Sequence, residues 1–501
     1  MEAHMKYLFF FTMVLYSTSV SATPYYDNQY DIMDFQYTQT SALTGSGLAA
    51  TNEWLFVGVP GYDKVQIRPL PTLVDVGAVH VYRKNFSTGE WNYFQRILPH
   101  SSVDAYSYFG SSIDASGTKV IIGAPGGRSG AGFSGLYSFN GTSWVLSQQI
   151  EPSGLASLDN FGFSVAIQGN CIAIGTPGRD GYSGTNTGAV YLYKYVNNVL
   201  TLINTSTPPA IQYYYPYYGY SVDVVDRYWD NPATCSVVVG APNAVVNGNL
   251  FAGFIKSYKI NYSSTPYTLT LTGYFTGQAG DEFGRSVSMI EYSGTNTYDR
   301  IFIGSPGYAN DEGKISGLRK STSNLWSTCT TPCLISETIN SSNGRYGEKV
   351  NFNSEIGLVS EPEYGNFGRV HVLVRHNCWN QSPFVENCFV PLDTINSPNL
   401  QTNEVFGGNI SVDYTNTPAS NYLGENDYLT LFVSSPKYDY LSYTDNGIAY
   451  QFGGTLELLP LWQCTNCGYL HSGELPPFTC PVCMEDSTFF TELDEWFPFV
   501  F

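Results

Sequence analysis

One short pattern recurs along most of this chain and constrains its fold more than any other feature. An aromatic-glycine pair leads, after a gap, into an apolar run that ends Gly-x-Pro. Phe109-Gly110 leads to Val120-Ile-Ile-Gly123-Ala-Pro125, and Phe161-Gly162 to Ile172-Ala-Ile-Gly175-Thr-Pro177. Tyr218-Gly219 leads to Val237-Val-Val-Gly240-Ala-Pro242, and Phe283-Gly284 to Ile301-Phe-Ile-Gly304-Ser-Pro306. Two weaker copies pair Tyr346-Gly347 with Ile356 to Pro362 and Phe406-Gly407 with Leu431 to Pro436. A degenerate one pairs Thr44-Gly45 with Leu55-Phe-Val-Gly58-Val-Pro60, which makes seven. Each copy continues into a third extended stretch, such as Gly188-Ala-Val-Tyr-Leu-Tyr193, and usually a fourth, such as Phe94-Gln-Arg-Ile-Leu-Pro99. A unit of four short strands cannot bury both its faces alone. Stacking the units around a ring buries them and leaves only short edges. The pattern predicts an all-β, seven-bladed propeller over residues 36–458.

Composition agrees. The chain has 501 residues with 49 Gly and 40 Tyr, and only 13 % of it is charged. That balance suits turns and strands rather than helical surfaces rich in Glu, Lys and Arg. A net charge of −19 with no Lys/Arg cluster argues against nucleic acid as a partner.

The Phe-Gly … Gly-Ala-Pro pattern resembles the FG-GAP repeat of integrin α-chain head propellers and related secreted proteins. The resemblance spans roughly residues 36–458 and implies a propeller used for recognition or adhesion. Repeats of that family that bind calcium carry an Asp-rich loop between the two strands. Here the gap is mostly a tight hairpin, Asp114-Ala-Ser-Gly117 or Gln168-Gly-Asn170, too short for the six or more oxygens that Ca²⁺ takes. The nearest approach, Glu291 to Asp299, lacks two carboxylates and the turn glycine. Calcium is therefore not expected to be needed for folding.

The N-terminus reads as an address. Lys6 precedes the apolar run Leu8 to Tyr16, and Val20-Ser21-Ala22 suits cleavage before Thr23. A signal peptide over residues 1–22 is expected, and the run is too short for a stable transmembrane anchor. Seven Asn-x-Ser/Thr triplets, headed by Asn85, Asn140, Asn204, Asn261, Asn340, Asn380 and Asn409, suit a secreted glycoprotein.

The tail carries two Cys-x-x-Cys pairs, Cys464/Cys467 and Cys480/Cys483, twelve residues apart. Four thiolates in such knuckles suit a tetrahedral metal site, and two disulfides are the alternative in an oxidising compartment. With Trp462, Gly468, Tyr469, His471, Pro476, Pro477, Pro481, Phe489 and Phe490, the stretch 460–497 resembles the rubredoxin-like module of rubrerythrins. Met484 departs from it, standing where rubredoxins have Gly. The resemblance implies Cys464, Cys467, Cys480 and Cys483 as ligands of one iron, with zinc as the alternative. Of the other cysteines, Cys329/Cys333 and Cys378/Cys388 are placed for local disulfides. Cys171 and Cys235 occupy matching strands of neighbouring copies and are placed either to bridge or to stay buried.

Enzyme signatures are mostly absent. None of the six His stands in a Glu-x-x-His pair, and no metalloprotease, hydrolase or P-loop motif occurs. His80 and His371, in third strands, are expected to face solvent, and Asp311-Glu312 reads as loop charge. Two functions remain. The first is a secreted recognition protein that presents aromatic loops such as Tyr213 to Tyr218 to a protein or glycan ligand. The alternative is an extracytoplasmic one-electron carrier with an iron centre in its tail. The same Tyr cluster could instead stack between blades.

Overall fold

A computed structural model describes residues 31–32, 40–65, 72–100, 104–181, 186–208, 215–227, 233–261, 267–290, 299–320, 326–328, 343–378, 385–398, 401–415, 428–439, 444–464, 470–472, 488 and 490–500. The expected leader, residues 1–22, lies outside them. Seven antiparallel sheets follow one another along the chain, so the protein is an all-β, seven-bladed propeller. Among the described residues helix is confined to single turns at Gly127–Gly130, Tyr308–Asp311 and Tyr364–Asn366 and to the 3-10 conformation of Thr488.

Each blade is numbered by its repeat, and its strands run from an inner to an outer position. Blade 1 comprises Leu48–Ala50, Trp54–Val59, Ala78–Lys84 and Trp91–Ile97. Blade 2 comprises Ser112–Ser116, Lys119–Ala124, Phe133–Phe139 and Trp144–Ile150. Blades 3 to 6 repeat that order, with inner strands Ser164–Gln168, Ser221–Arg227, Ser286–Ile290 and Val350–Phe352. Blade 7 supplies Asn409–Thr415, Tyr428–Ser435 and Ile448–Cys464, and its fourth place is taken by Asp31–Ile32. Ile32 lies opposite Tyr450 and Asp31 opposite Gln451, so a segment ahead of residue 36 shares the last sheet. Ile448–Cys464 also crosses the expected boundary at 458–460 without a break, pairing with Leu470–Ser472 and Phe490–Val500. The inner strands touch in order around the ring, and the seventh touches the first.

The core is divided into seven wedges, one between each pair of neighbouring blades. This explains the unbroken apolar runs of the second strands. In blade 2, Val120, Ile122 and Ala124 pack toward blade 1 while Ile121 packs toward blade 3. A strand buried on both faces has no polar alternation to show. Cys171 and Cys235 form a disulfide across the wedge between blades 3 and 4, with Cα atoms 6.1 Å apart. Cys329 and Cys333 lie outside the described residues. His376 faces Cys388 and Cys378 faces Val385 in the ladder of blade 6.

The repeat motif is a set of links between blades. The serine that follows each strong Phe-Gly-x donates its hydroxyl to the glycine carbonyl of the next copy. Ser112 bonds Gly162 at 2.8 Å, Ser164 bonds Gly219 at 2.8 Å, Ser221 bonds Gly284 at 2.8 Å and Ser286 bonds Gly347 at 3.0 Å. The glycine of Gly-Ala-Pro makes room for that approach: a Cβ on Gly123 would stand 2.0 Å from the Gly162 oxygen. Blade 7, built from a weak copy, reverses the arrangement. In blade 7 the inner strand carries Asn409 and the second strand carries Ser434, whose hydroxyl donates to the Gly45 carbonyl at 2.8 Å.

A second set of links lies two residues further on, where the inner strands carry Ala49, Asp114, Ala166, Asp223, Ser288, Asn351 and Ser411 in turn. Asp114 accepts the Ile167 N–H of blade 3 at 2.6 Å, and Asp223 accepts that of Met289 in blade 5. Ser288 accepts Phe352 N–H at 3.0 Å, and Ser411 accepts Ala50 N–H at 3.0 Å. Each aspartate follows a blade with alanine at this place, which offers no acceptor. The second carboxylate oxygen then takes the N–H of Ala115 or Val224 in its own blade. Two oxygens thus satisfy two buried donors, which explains why a carboxylate stands here at all.

Candidate docking face

The antiparallel order sends the loops entering each inner strand, and those between second and third strands, to one end of the ring. The hairpins between third and outer strands go to the other end. The entering loops are all strained in the same way. The residue before each Phe-Gly has a positive φ: Leu43, Tyr108, Asn160, Tyr217, Glu282, Arg345 and Val405. So does the residue two places earlier, from Ser41 and Tyr106 to Leu158, Tyr215, Gly280, Asn343 and Asn403. A left-handed conformation costs a non-glycine residue about 1 kcal/mol or more. Here the preceding blade holds it: Tyr108 N–H bonds Asp75 O at 3.0 Å, and Arg345 N–H bonds Asp311 O at 2.8 Å. Strain repeated at one end of a fold points to use of that end.

The same end exposes apolar side chains. Tyr106, Leu158, Tyr215, Leu250, Phe251 and Tyr364 all stand out from it, with Leu158 at 68 % and Phe251 at 52 % exposure. A cleft of about 390 Å³ opens beside Leu158, lined by Arg128, Glu151, Leu155 and Ser157 among others. The Tyr cluster serves both expected roles. Tyr215 is exposed, while Tyr218 is fully buried and shares a hydroxyl network with Ser206 and Tyr258. Tyr213 lies outside the described residues.

Around the axis, the x of each Phe-Gly-x-Ser forms a partly buried ring. On one side it runs Phe163, Tyr220, Arg285 and Glu348. The Phe163 and Tyr220 rings are 4.9 Å apart, Arg285 lies 4.6 Å over Tyr220, and its Nε donates to Glu348 at 2.8 Å. Arg345 joins this chain to Glu282 at 2.7 Å and to Asp311 at 2.9 Å, so Asp311 is paired loop charge. Burial alone would raise the Glu348 carboxyl, but Arg285 and Arg345 hold it below its usual range. Blades 3 and 4 thus give this end an aromatic arc, and blades 5 and 6 a charged one. Sequence reasoning missed the ring, although its members recur at a fixed place in the repeat.

Two expectations about titratable groups change. His80 and His371 are buried, because third strands are covered by the neighbouring blade. Burial, with Arg96 nearby, pushes His80 down to about 4. His371 Nε2 sits 2.8 Å from the fully buried Glu361, and Thr394 Oγ1 lies 3.2 Å from its Nδ1. Asp299, the last carboxylate of the loop that comes nearest to a calcium site in sequence, pairs with Arg227 and with Lys320, the latter at 3.2 Å. Residues 291–298 lie outside the described residues.

The expected cofactor, one iron with zinc as the alternative, is corrected. Among the described residues no group of three or more His, Cys, Asp or Glu could hold a metal ion. The close cysteine pair, Cys171–Cys235, is a disulfide, and sulfurs joined in that way offer no thiolate to a metal. Of Cys464 only the backbone at the end of its strand is described; Cys467, Cys480 and Cys483 lie outside the described residues.

Comparison with known proteins finds local similarity. A family model described as FG-GAP repeat matches residues 144–193. One described as rubrerythrin, rubredoxin-like domain, matches residues 462–491. No curated protein matches the sequence. Among solved structures, the crystal structure of Saccharomyces cerevisiae Sqt1 aligns over 84 % of this chain and 97 % of that one, at 9 % identity and a TM-score of 0.40. Among the described residues no helix is long and apolar enough to cross a membrane.

Proposed function

We propose that this chain is a secreted recognition protein that docks a protein ligand on the loop end of its propeller. The observation that carries this reading is the exposed apolar set on that end, above all Leu158 and Phe251. Leu158 and Leu250 are aliphatic, and aliphatic side chains favour apolar protein surface over the hydroxyls of a glycan. Exposed Tyr106 and Tyr215 add contact area at low entropy loss. The leader over residues 1–22 brings the chain to the secretory route, and the mature chain begins at Thr23.

The test uses the purified full chain against a panel of secreted and cell-surface proteins beside a glycan panel. Binding to a panel protein is expected, weakened tenfold or more in Leu158→Asn and Phe251→Asn. Asn tolerates the left-handed backbone of these two positions. Val199→Gln, on an outer strand, should leave binding unchanged. Binding to glycans alone, or equal loss in Val199→Gln, would overturn the reading. Sequencing the mature N-terminus tests the leader separately.

A further inference from the structure

The seven glycosylation triplets are not equivalent in the folded ring. Asn85 and Asn140 sit in the third-to-outer hairpins of blades 1 and 2, at the end opposite the docking loops, and both are exposed. Each side-chain oxygen faces its own turn. Asn85 Oδ1 accepts Ser87 N–H at 3.0 Å. Asn140 Oδ1 accepts the N–H groups of Thr142 and Ser143 at 3.0 and 2.9 Å, and the Thr142 hydroxyl at 2.9 Å. Among the described residues neither Nδ2 donates a hydrogen bond, so both amide nitrogens can carry a large substituent without breaking a contact.

Asn409 is the opposite case. It stands on the inner strand of blade 7, where its Nδ2 donates to the Ser46 carbonyl of blade 1 at 2.9 Å. The third triplet residue, Ser411, is engaged too, accepting Ala50 N–H at 3.0 Å. A sugar on Asn409 would stand in the seam that closes the ring.

We infer that Asn85 and Asn140 are N-glycosylation sites, that Asn409 is not, and that the glycans cover the end of the propeller facing away from the ligand. The inference rests on the proposed secretory route. In the reaction a lipid-pyrophosphate-linked oligosaccharide is the donor. Its anomeric carbon forms a bond to the Asn Nδ2 as the bond to the pyrophosphate oxygen breaks. The amide loses one proton and the lipid pyrophosphate leaves. The glycans would also shield Phe86, which is 63 % exposed between Asn85 and Ser87.

The test expresses the full chain in a eukaryotic host twice, once with its own leader and once with residues 1–22 replaced by a host secretion signal. The secreted product is treated with an amidase that converts glycan-bearing Asn to Asp, and its peptides are read by mass. Marked Asn85 and Asn140 with unmarked Asn409 are expected, and Asn85→Gln and Asn140→Gln should each remove one glycan's worth of gel shift from a folded protein. A bare Asn85 or Asn140 in protein secreted by the host signal, or a glycan on Asn409 in folded protein, would overturn the inference. Retention of the chain only when it carries its own leader would count against the secretory reading and leave the site map to be decided by the other form.

Discussion

Blade 2 and blade 7 join their neighbours with equivalent bonds made by different residues. In blade 2 the hydroxyl to the next glycine carbonyl comes from Ser112 on the inner strand, and the second strand beside it is Gly123. In blade 7 that hydroxyl comes from Ser434 on the second strand, and the inner strand offers the Asn409 amide. Two residues further along the inner strand, Asp114 and Ser411 each accept an N–H from the following blade. The ring therefore preserves donors and acceptors at the seam, not residue types at a position. A copy that reads as weak in sequence is a fully bonded interface in space.

The comparison breaks most visibly at the glycine. Gly123→Val places a Cβ 2.0 Å from the Gly162 oxygen and 2.2 Å from Ser112 Oγ. Backbone cannot yield as a side-chain end can, so a loss on the order of 3 kcal/mol is expected from urea unfolding. Gly117→Ala, in a hairpin where a Cβ meets nothing within 4 Å, should cost only about 1 kcal/mol through its positive φ. Equal effects would mean that the seam is not closely packed.

Acidity should separate the two blades next. Burial, with Asp223 adding to it, pushes Asp114 up to about 7, and burial does the same to Asp223. A carboxyl with a raised folded pKa binds its proton more tightly when folded. Its penalty is complete above pH 7 and fades as pH falls toward the ordinary value near 3.8. The single-site slope is at most about 1.4 kcal/mol per pH unit. His80 runs the other way, since a lowered folded pKa removes stability as pH falls from 6.5 toward 4. Melting curves of Asp114→Ser minus wild type isolate the carboxyl, and their difference should change steadily between pH 4 and 7. Ser411→Ala in blade 7 should show no such pH term, and a matching one would refute the assignment.

The smallest expected effect compares the hydroxyls. Ser434 both donates to Gly45 O and accepts Asn409 N–H at 3.1 Å, whereas Ser112 Oγ makes the single bond to Gly162. Ser434→Ala should cost about 2 kcal/mol and Ser112→Ala about 1 kcal/mol in urea unfolding. Faster amide exchange should appear at Asn409 in the first variant. The reverse order would show that the blade 7 seam is slack.

Much of this architecture was legible in the repeat. Four Phe-Gly pairs, two Tyr-Gly pairs and the degenerate Thr44-Gly45, with the apolar second strands and the alternation of turns with short extended runs, are local properties, and blade number follows from counting them. The candidate face was only half legible. Tyr215 and Tyr217 stood out as aromatic loop residues, but nothing in Arg345 or Glu282 announces a left-handed backbone, because such conformations are held by the neighbouring blade.

By itself the sequence determined that strands would form in groups of four, that seven groups would stack, and that glycine would recur where backbones meet. These follow from side-chain period, turn chemistry and the room a missing Cβ leaves. Only the tertiary structure decided that Asp31–Ile32 completes the seventh sheet, that His80 and His371 are buried, and that Asp114 and Asp223 each bridge two donors. It also decided that Asn85 and Asn409, heads of the same triplet, have opposite surroundings. Each of these depends on atoms tens or hundreds of residues away along the chain, and closing a ring is what brings them within bonding distance.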